Sequence, residues 1–195
     1  MKKIFFLAIT SFLFSCGSTS TTTNGKNPNT ELTQSDQKQI STEKENNSEP
    51  GFLVGKQDRK ALEQEPYGNW FNDNYKSYAL DNSTIEKLSP YLKDITIQAF
   101  MGTWCSDSKR ETPTFYKILD ASNFNYKNLE LITVTKSKDT PEGFEKGLDI
   151  MRVPTFIFYK DGKEIGRYVE FARETLEKDI LTIVSEQPYK HSYED

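Results

Sequence analysis

Residues 95–113 constrain the fold of this chain more than any other stretch. They open with β-forming residues at alternate positions, which predicts a buried strand. Gly102 and Thr103 interrupt that pattern, and Cys105 stands where a helix begins. The helix is indicated by apolar residues that share one face, namely Phe115, Ile118 and Leu119. The stretch therefore predicts a strand that leads through a short turn into a helix, with a cysteine at the helix N-terminus.

The position of Cys105 predicts a nucleophilic sulfur. The first backbone N–H groups of a helix have no partner inside it, and the helix dipole places partial positive charge there. Both effects favour the thiolate, which is the nucleophilic form. Asp107 opposes negative charge on the sulfur, and Lys109 and Arg110 can offset that carboxylate. Ser108 lies one helical turn further on, where its hydroxyl can donate a hydrogen bond to the sulfur.

Two motifs that follow in order resemble those of the thioredoxin family. The first is the run 104–108, WCSDS, with Pro113 eight positions past the cysteine. It resembles the family's Trp-Cys-x-x-Cys motif and kinking proline. The second is the run 153–162, VPTFIFYKDG, which resembles the family's cis-proline, strand and hairpin turn. The resemblance covers roughly residues 94–185 and implies an α/β fold, a thioredoxin-like mixed β-sheet flanked by helices, here with a helical N-terminal extension.

The same resemblance implies a site without a resolving thiol. In this family the first cysteine attacks a disulfide and the second resolves the mixed disulfide, but Ser108 stands at the second position. An external thiol must then complete the reaction. Ala99 replaces the family's buried acid, and Ser106 and Asp107 replace the usual Gly-Pro or Pro-His pair. We predict Cys105 and Ser108 as catalytic residues, with Ser106 and Asp107 as the environment of the thiolate.

A substrate groove beside the sulfur is also implied by the resemblance. Trp104 would shield one side of the sulfur, and Val153, Pro154 and Thr155 would line the other. The family expectation is a cis peptide bond before Pro154, and a residue that precedes proline prefers extended geometry. The extended chain of a partner could then pair with the backbone beside the sulfur. The alternative is a trans proline that only begins a strand.

The first 15 residues have the pattern of a signal peptide, with a basic start and an apolar run too short to remain as a membrane span. The run ends in LFSC at positions 13–16, which resembles a bacterial lipobox and implies that Cys16 becomes a lipidated N-terminus. The alternative is an ordinary signal peptide with an incidental cysteine. Gly17 provides no signal for inner-membrane retention, so we expect attachment to the outer membrane, facing the periplasm. The surface of a Gram-positive cell is the alternative.

Composition divides the rest of the chain near residue 50. Residues 16–50 are rich in Ser, Thr, Asn, Gln, Glu and Lys, which predicts a disordered tether behind the lipidated cysteine. We predict a thioredoxin-like domain at residues 51–187 and a polar tail at 188–195. The net charge of −4 argues against a nucleic-acid partner. One free thiol without a nearby histidine gives no zinc ligand set, and we expect no metal and no cofactor.

Local signals predict the other elements. Helices are expected at residues 58–65, from an N-cap at Asn82 or Ser83, from Pro141 to about 148, and at 175–185. Strands are expected at 129–134, 155–159 and 163–169, the last two joined by an Asp-Gly hairpin turn. The aromatic group within residues 70–80 is expected to pack in the core rather than to line a binding groove.

Three functions remain open at this point. The first is a lipid-anchored monothiol oxidoreductase or isomerase, whose partners are a disulfide-containing protein and an external thiol reductant. The second is a redox-inactive binding module whose cis-proline groove holds an extended peptide or a protein. The third is a peroxide sensor in which Cys105 is oxidised to sulfenic acid. Partner capture that survives Cys105→Ser would identify the binding module.

Overall fold

The computed structural model describes residues 51–194; the predicted signal peptide, Cys16 and the predicted tether lie outside the described residues. The strands are β1 Gly55–Gln57, β2 Ile95–Met101, β3 Leu129–Thr133, β4 Thr155–Lys160 and β5 Lys163–Val169. The helices are α1 Arg59–Glu63, α2 Gly68–Ser77, α3 Asn82–Leu88, α4 Ser106–Ala121 and α5 Leu176–Val184, with short 3₁₀ helices at Tyr91–Asp94 and Tyr126–Asn128. Within this part of the chain, no helix combines the length and the apolar character that a membrane crossing requires.

The five strands form one sheet in the order β1-β3-β2-β4-β5. Strands β2 and β3 are parallel, and the other three neighbouring pairs are antiparallel. Helix α4 connects the parallel pair, because two parallel strands need a crossover between them. The central strands β2 and β4 are largely buried, as expected for strands covered on both faces. The predicted mixed sheet flanked by helices is confirmed.

The larger core lies between the helices and one face of the sheet. Ile97 and Ala99 of β2 and Phe156 of β4 point into it, and α4 adds Phe115, whose ring stacks on Phe156 with 4.1 Å between centroids. Phe71 of α2 is 1% exposed and belongs to the same core. The prediction that the aromatic residues near position 70 pack in the core is therefore confirmed for Phe71.

The opposite face of the sheet is covered by the chain between β3 and β4. Its core is formed by apolar residues of the strands and of that connection, namely Phe100, Ile132, Val134, Ile150, Val153 and Ile157. The helix predicted from Pro141 to residue 148 is wrong, because this segment contains only turns. The Thr140 hydroxyl accepts a hydrogen bond from the Phe144 N–H, as an N-cap would. Gly143 and Gly147 then adopt φ values of +73° and +77°, which a right-handed helix does not allow.

The N-cap of α3 also differs from the prediction. The cap is Asp81, one residue before the predicted Asn82 or Ser83. Its carboxylate accepts hydrogen bonds from the side chains and backbone N–H groups of Thr84 and Ser83, which lowers the pKa of Asp81 to about 2. Aspartate, asparagine and serine are equally good caps, so composition alone did not choose among three adjacent candidates.

The helical N-terminal extension is joined to α4 through Asp120. Arg59 of α1 donates to both carboxylate oxygens, at 3.0 and 2.7 Å. The hydroxyls of Tyr75 and Tyr126 also donate to this carboxylate, at 2.7 and 2.5 Å. The Arg59 guanidinium lies 5.1 Å from the centre of the Tyr116 ring, within cation–π range. The Asp120 carboxylate, at the end of α4, thus accepts hydrogen bonds from α1, from α2 and from the 3₁₀ helix before β3.

Candidate active site

The turn between β2 and α4 carries the sulfur. The Cys105 N–H donates to the Gly102 carbonyl at 2.9 Å, which closes the turn. Cys105 is the N-cap of α4, with extended backbone angles of −88° and 129°, and its carbonyl accepts from the Lys109 N–H at 3.0 Å. Helix α4 continues for 16 residues and contains Pro113. The predicted position of the cysteine, at the N-terminus of a helix that follows a central strand, is confirmed.

The sulfur faces the loop that precedes β4. Cys105 is half-buried, and its thiol donates to the Val153 carbonyl oxygen at 3.3 Å from Sγ. The peptide bond between Val153 and Pro154 is cis, as the resemblance implied. The two sequence motifs, separated by 48 residues, thus meet at one point. This hydrogen bond keeps the thiol proton on the side of the sulfur that faces the cis-proline loop.

Trp104 covers another side of the turn. Its indole Nε1 donates to the Val134 carbonyl at 2.9 Å, and its ring packs against the core on that face of the sheet. Gly102 lies directly against the ring, since a Cβ atom added there would be 2.5 Å from Trp104 Cε2. A side chain at position 102 would therefore displace the indole.

Ser108 has a different contact from the one expected. It is fully buried, and its hydroxyl oxygen accepts a hydrogen bond from the Gly102 N–H at 3.1 Å. Sequence reasoning expected this hydroxyl to donate to the sulfur of Cys105. Within residues 51–194, the Ser108 hydroxyl makes one hydrogen bond, the one with Gly102. The serine thus ties the first turn of α4 to the end of β2.

The carboxylate nearest the sulfur in sequence is paired. Asp107 forms an ion pair with Arg110 at 2.8 Å, one helical turn away, as the sequence indicated. Arg110 also contacts Glu111 at 2.7 Å. Ser106 is exposed. Because one guanidinium is shared by two carboxylates, the charge of Asp107 is only partly compensated.

The three predicted groove residues of the cis-proline loop are buried. Val153 is 2% exposed and belongs to the core, and Pro154 and Thr155 are also buried. The Thr155 hydroxyl donates to the Arg152 carbonyl at 2.8 Å, and the Pro154 carbonyl accepts from the Glu170 N–H at 2.7 Å. These residues can therefore present backbone to a partner, while their side chains hold the loop in place.

Three residues beside this loop were missed by sequence reasoning. Arg152 pairs with Glu170 at 3.1 Å, and its guanidinium carbon lies 3.7 Å from the centre of the Tyr193 ring. Tyr193 belongs to a segment that its composition marks only as a polar tail. No periodic pattern or motif links these three positions, so the sequence carried no signal for them. In the part of the chain that the structure covers, no group of three or more His, Cys, Asp or Glu residues could hold a metal ion.

The fold and the site together define a protein of thioredoxin architecture, with a cysteine at the N-terminus of a central helix opposite a cis-proline. A family model described as Thioredoxin matches residues 56–182. The chain therefore belongs to the thioredoxin family.

Curated relatives agree with this family, and a solved structure shares the fold. The chain is 29% identical to Thioredoxin H9 of Arabidopsis thaliana over 48% of its own length, and it spans 63% of that relative, less than two thirds. It is 24% identical to Thioredoxin H-type of Populus jackii, over 71% of this chain and 96% of the relative. A crystal structure of a protein of unknown function from Pseudomonas aeruginosa covers 67% of this chain and 92% of its own, with 14% identity and a TM-score of 0.52. That likeness shows the fold.

Proposed function

We propose that this protein performs monothiol thiol–disulfide exchange through Cys105. The observation that carries the proposal is the half-buried sulfur at the N-terminus of α4, 3.3 Å from the carbonyl that precedes the cis-proline. The relatives named thioredoxin support a fold of the thiol–disulfide oxidoreductase type. Cys105 is the one cysteine among the described residues, and position 108 holds serine, so the proposal is a monothiol reaction.

The reaction proceeds in three exchanges. The Cys105 thiolate attacks one sulfur of a partner disulfide, and the other partner sulfur leaves as a thiolate that takes up a proton. An external thiolate then attacks the Cys105 sulfur of the mixed disulfide, and the partner leaves with its second thiol. A second external thiolate attacks the external sulfur now bound to Cys105 and restores the free cysteine. In total, one partner disulfide and two external thiols give one partner dithiol and one external disulfide.

The surroundings of the sulfur support this sequence of steps. Two hydrogen bonds hold the turn around Gly102: its carbonyl accepts from the Cys105 N–H, and its N–H donates to the Ser108 hydroxyl oxygen. They fix the sulfur at the helix N-terminus, where negative charge is favoured. Trp104 covers one side of the turn. An extended segment of the partner lies along the backbone of Val153, whose carbonyl accepts a hydrogen bond from the Cys105 thiol in the resting protein.

The dependence on external thiol tests this function. With a disulfide-linked fluorescent peptide as substrate, we expect the protein-catalysed rate to rise with the concentration of a small thiol. Cys105→Ser is expected to lower that rate by on the order of a thousandfold or more, because the attacking nucleophile is lost. The melting temperature of the variant should stay close to that of the wild type, since the sulfur is only half-buried. A Cys105→Ser protein that retains the wild-type rate would falsify the proposal.

A redox-inactive binding module is the second candidate. One observation favours it: the thiol proton is engaged by the Val153 carbonyl, and the Ser108 hydroxyl is occupied by a backbone N–H. In this function the groove along Val153 holds an extended peptide, and the sulfur only packs against it. Capture of the same peptide by wild type and by Cys105→Ser, with equal affinity and without a covalent adduct, would support this second candidate over the first.

We also propose that the protein is exported and anchored through lipid on Cys16, on the outer membrane and facing the periplasm. The support is the basic and apolar start of the chain and the LFSC run at positions 13–16. The change Cys16→Ala is expected to move the expressed protein from the membrane fraction to the soluble fraction, because one cysteine carries the lipid. Recovery of Cys16→Ala in the membrane fraction at the wild-type level would contradict the lipid anchor.

A further inference from the structure

The segment 189–194 folds back onto the domain near the active site. The Tyr189 hydroxyl donates to the Asp179 carboxylate at 3.0 Å, and Asp179 is 3% exposed. The Ser192 hydroxyl donates to the Phe171 carbonyl at 2.7 Å. Farther along the same connection between β5 and α5, the Arg173 guanidinium donates to the backbone carbonyl of His191, at 3.3 Å. These three contacts fix the segment to α5 and to the chain that follows β5.

Tyr193 is the residue of this segment that reaches the cis-proline loop. Its hydroxyl donates to the Glu170 carboxylate, and the Arg152 guanidinium lies 3.7 Å from the centre of its ring. Arg152 and Glu170 also pair with each other at 3.1 Å. Phe171 packs edge-on against the same ring, with 5.5 Å between centroids. Tyr193 thus contacts both members of an ion pair whose residues flank the cis-proline loop.

The backbones of the same two residues hold both sides of the cis-proline loop. Arg152 immediately precedes Val153, and its carbonyl accepts a hydrogen bond from the Thr155 hydroxyl at 2.8 Å. The Glu170 N–H donates to the Pro154 carbonyl at 2.7 Å. A shift of Arg152 or Glu170 would therefore also shift the neighbouring Val153 carbonyl, which accepts the hydrogen bond from the Cys105 thiol.

We propose that Tyr193 is a positioning residue, which holds the Val153 carbonyl opposite the Cys105 sulfur through Arg152 and Glu170. The part of this proposal that concerns disulfide exchange rests on the proposed function. Tyr193 lies outside the two family motifs and would belong to the same site. With the loop held, the carbonyl keeps the thiol proton engaged and the backbone stays in place for a partner. With the loop released, both effects are lost together.

Two rates are expected to change in opposite directions when Tyr193 is replaced by alanine. Alkylation of Cys105 by iodoacetamide should become faster, because the Val153 carbonyl no longer engages the thiol proton. Formation of a mixed disulfide with a disulfide-linked peptide should become slower, because the partner-binding backbone has lost its fixed position. Each change is expected to be about threefold to tenfold, the range expected for one exposed cation–π contact and its hydrogen bond. General loosening of the fold would also expose the half-buried sulfur and weaken the groove, so the melting temperature of the variant must stay close to that of the wild type.

The experiment uses the full chain carrying Cys16→Ala, so that Cys105 is the single thiol. Tyr193→Phe keeps the ring beneath Arg152 but loses the hydrogen bond to Glu170, so both rates should lie between those of Tyr193→Ala and the wild type. Tyr91→Ala is the matched control, because Tyr91 is 49% exposed, against 41% for Tyr193, and precedes β2 at the end remote from the turn. It should leave both rates unchanged. Arg152→Gln removes the guanidinium through which Tyr193 acts and should show the same two opposite changes. It therefore tests the proposal even if Tyr193→Ala does not fold.

The outcomes separate this proposal from the proposed function. Opposite changes in Tyr193→Ala or Arg152→Gln, with smaller changes of the same sign in Tyr193→Phe, support the positioning role. Rates within about twofold of wild type, changes in the same direction, or an equal effect of Tyr91→Ala would overturn it. A wild-type protein without any disulfide exchange would overturn the proposed function, and the alkylation rates would still decide the role of Tyr193.

Discussion

Replacing Ser108 with cysteine is expected to give a protein that releases its reduced partner without any external thiol. The position is three residues after Cys105, on the neighbouring turn of α4, and it is fully buried beside the Gly102 N–H. A second thiol held there can attack the Cys105 sulfur of the mixed disulfide directly. Because the reaction becomes intramolecular, release should be on the order of a hundredfold faster than with ~1 mM external thiol.

This prediction is checked by single-turnover kinetics with the peptide disulfide, with small thiols absent after mixing. Wild type should stop at the mixed disulfide, whereas Ser108→Cys should release the peptide and retain an internal disulfide. Ser106→Cys is the matched control, since Ser106 is exposed and adjacent positions on a helix do not face each other. Release that is equally fast in Ser106→Cys would show that proximity along the chain is sufficient. No release in Ser108→Cys would mean that position 108 cannot reach the mixed disulfide.

The change Asp120→Asn is expected to destabilise the domain by about 2–3 kcal/mol at neutral pH. This figure allows for the partial exposure of the ion pair between Asp120 and Arg59. The Asp120 carboxylate accepts from Arg59, Tyr75 and Tyr126, and a neutral amide offers one acceptor oxygen in place of two. Urea unfolding of the wild type and the variant measures the difference. Asp73→Asn, an exposed position on α2, is the matched control and should change stability by less than about 0.5 kcal/mol.

The same variant should change the response to acid. Burial raises the pKa of Asp120, but the hydrogen bonds from Tyr126, Tyr75 and Arg59 outweigh it and bring the pKa below the ordinary value of 3.8. A carboxyl with a lowered pKa in the folded state contributes stability that is present above the unfolded value and is lost as pH falls through the folded value. The difference between wild type and Asp120→Asn should therefore shrink below about pH 4. A difference that stays constant from pH 7 to pH 2 would contradict this account of the cluster.

Much of the fold could be predicted because its signals are local. The alternation before Gly102 and the helical face after Cys105 predicted β2 and α4, and the Asp-Gly pair predicted the hairpin between β4 and β5. Asp161 and Gly162 have φ values of +52° and +76°, as a tight hairpin turn with two left-handed residues requires. Strand β1, three residues long, was missed because so short a segment has no period to detect. The helix after Pro141 was predicted from a good start signal, and two glycines in left-handed conformations prevented it.

The sequence by itself determined which residues could meet at the site. It placed a sulfur at the start of a helix, a proline before a central strand and a serine where the family has its second thiol. Only the tertiary structure decided what each group touches: the Cys105 thiol contacts the Val153 carbonyl, and the Ser108 hydroxyl contacts the Gly102 N–H. Tyr193 reaches the same loop from the far end of the chain. The physical reason is that periodicity and capping depend on neighbours a few residues away, whereas hydrogen-bond partners between distant segments are selected when the whole core packs.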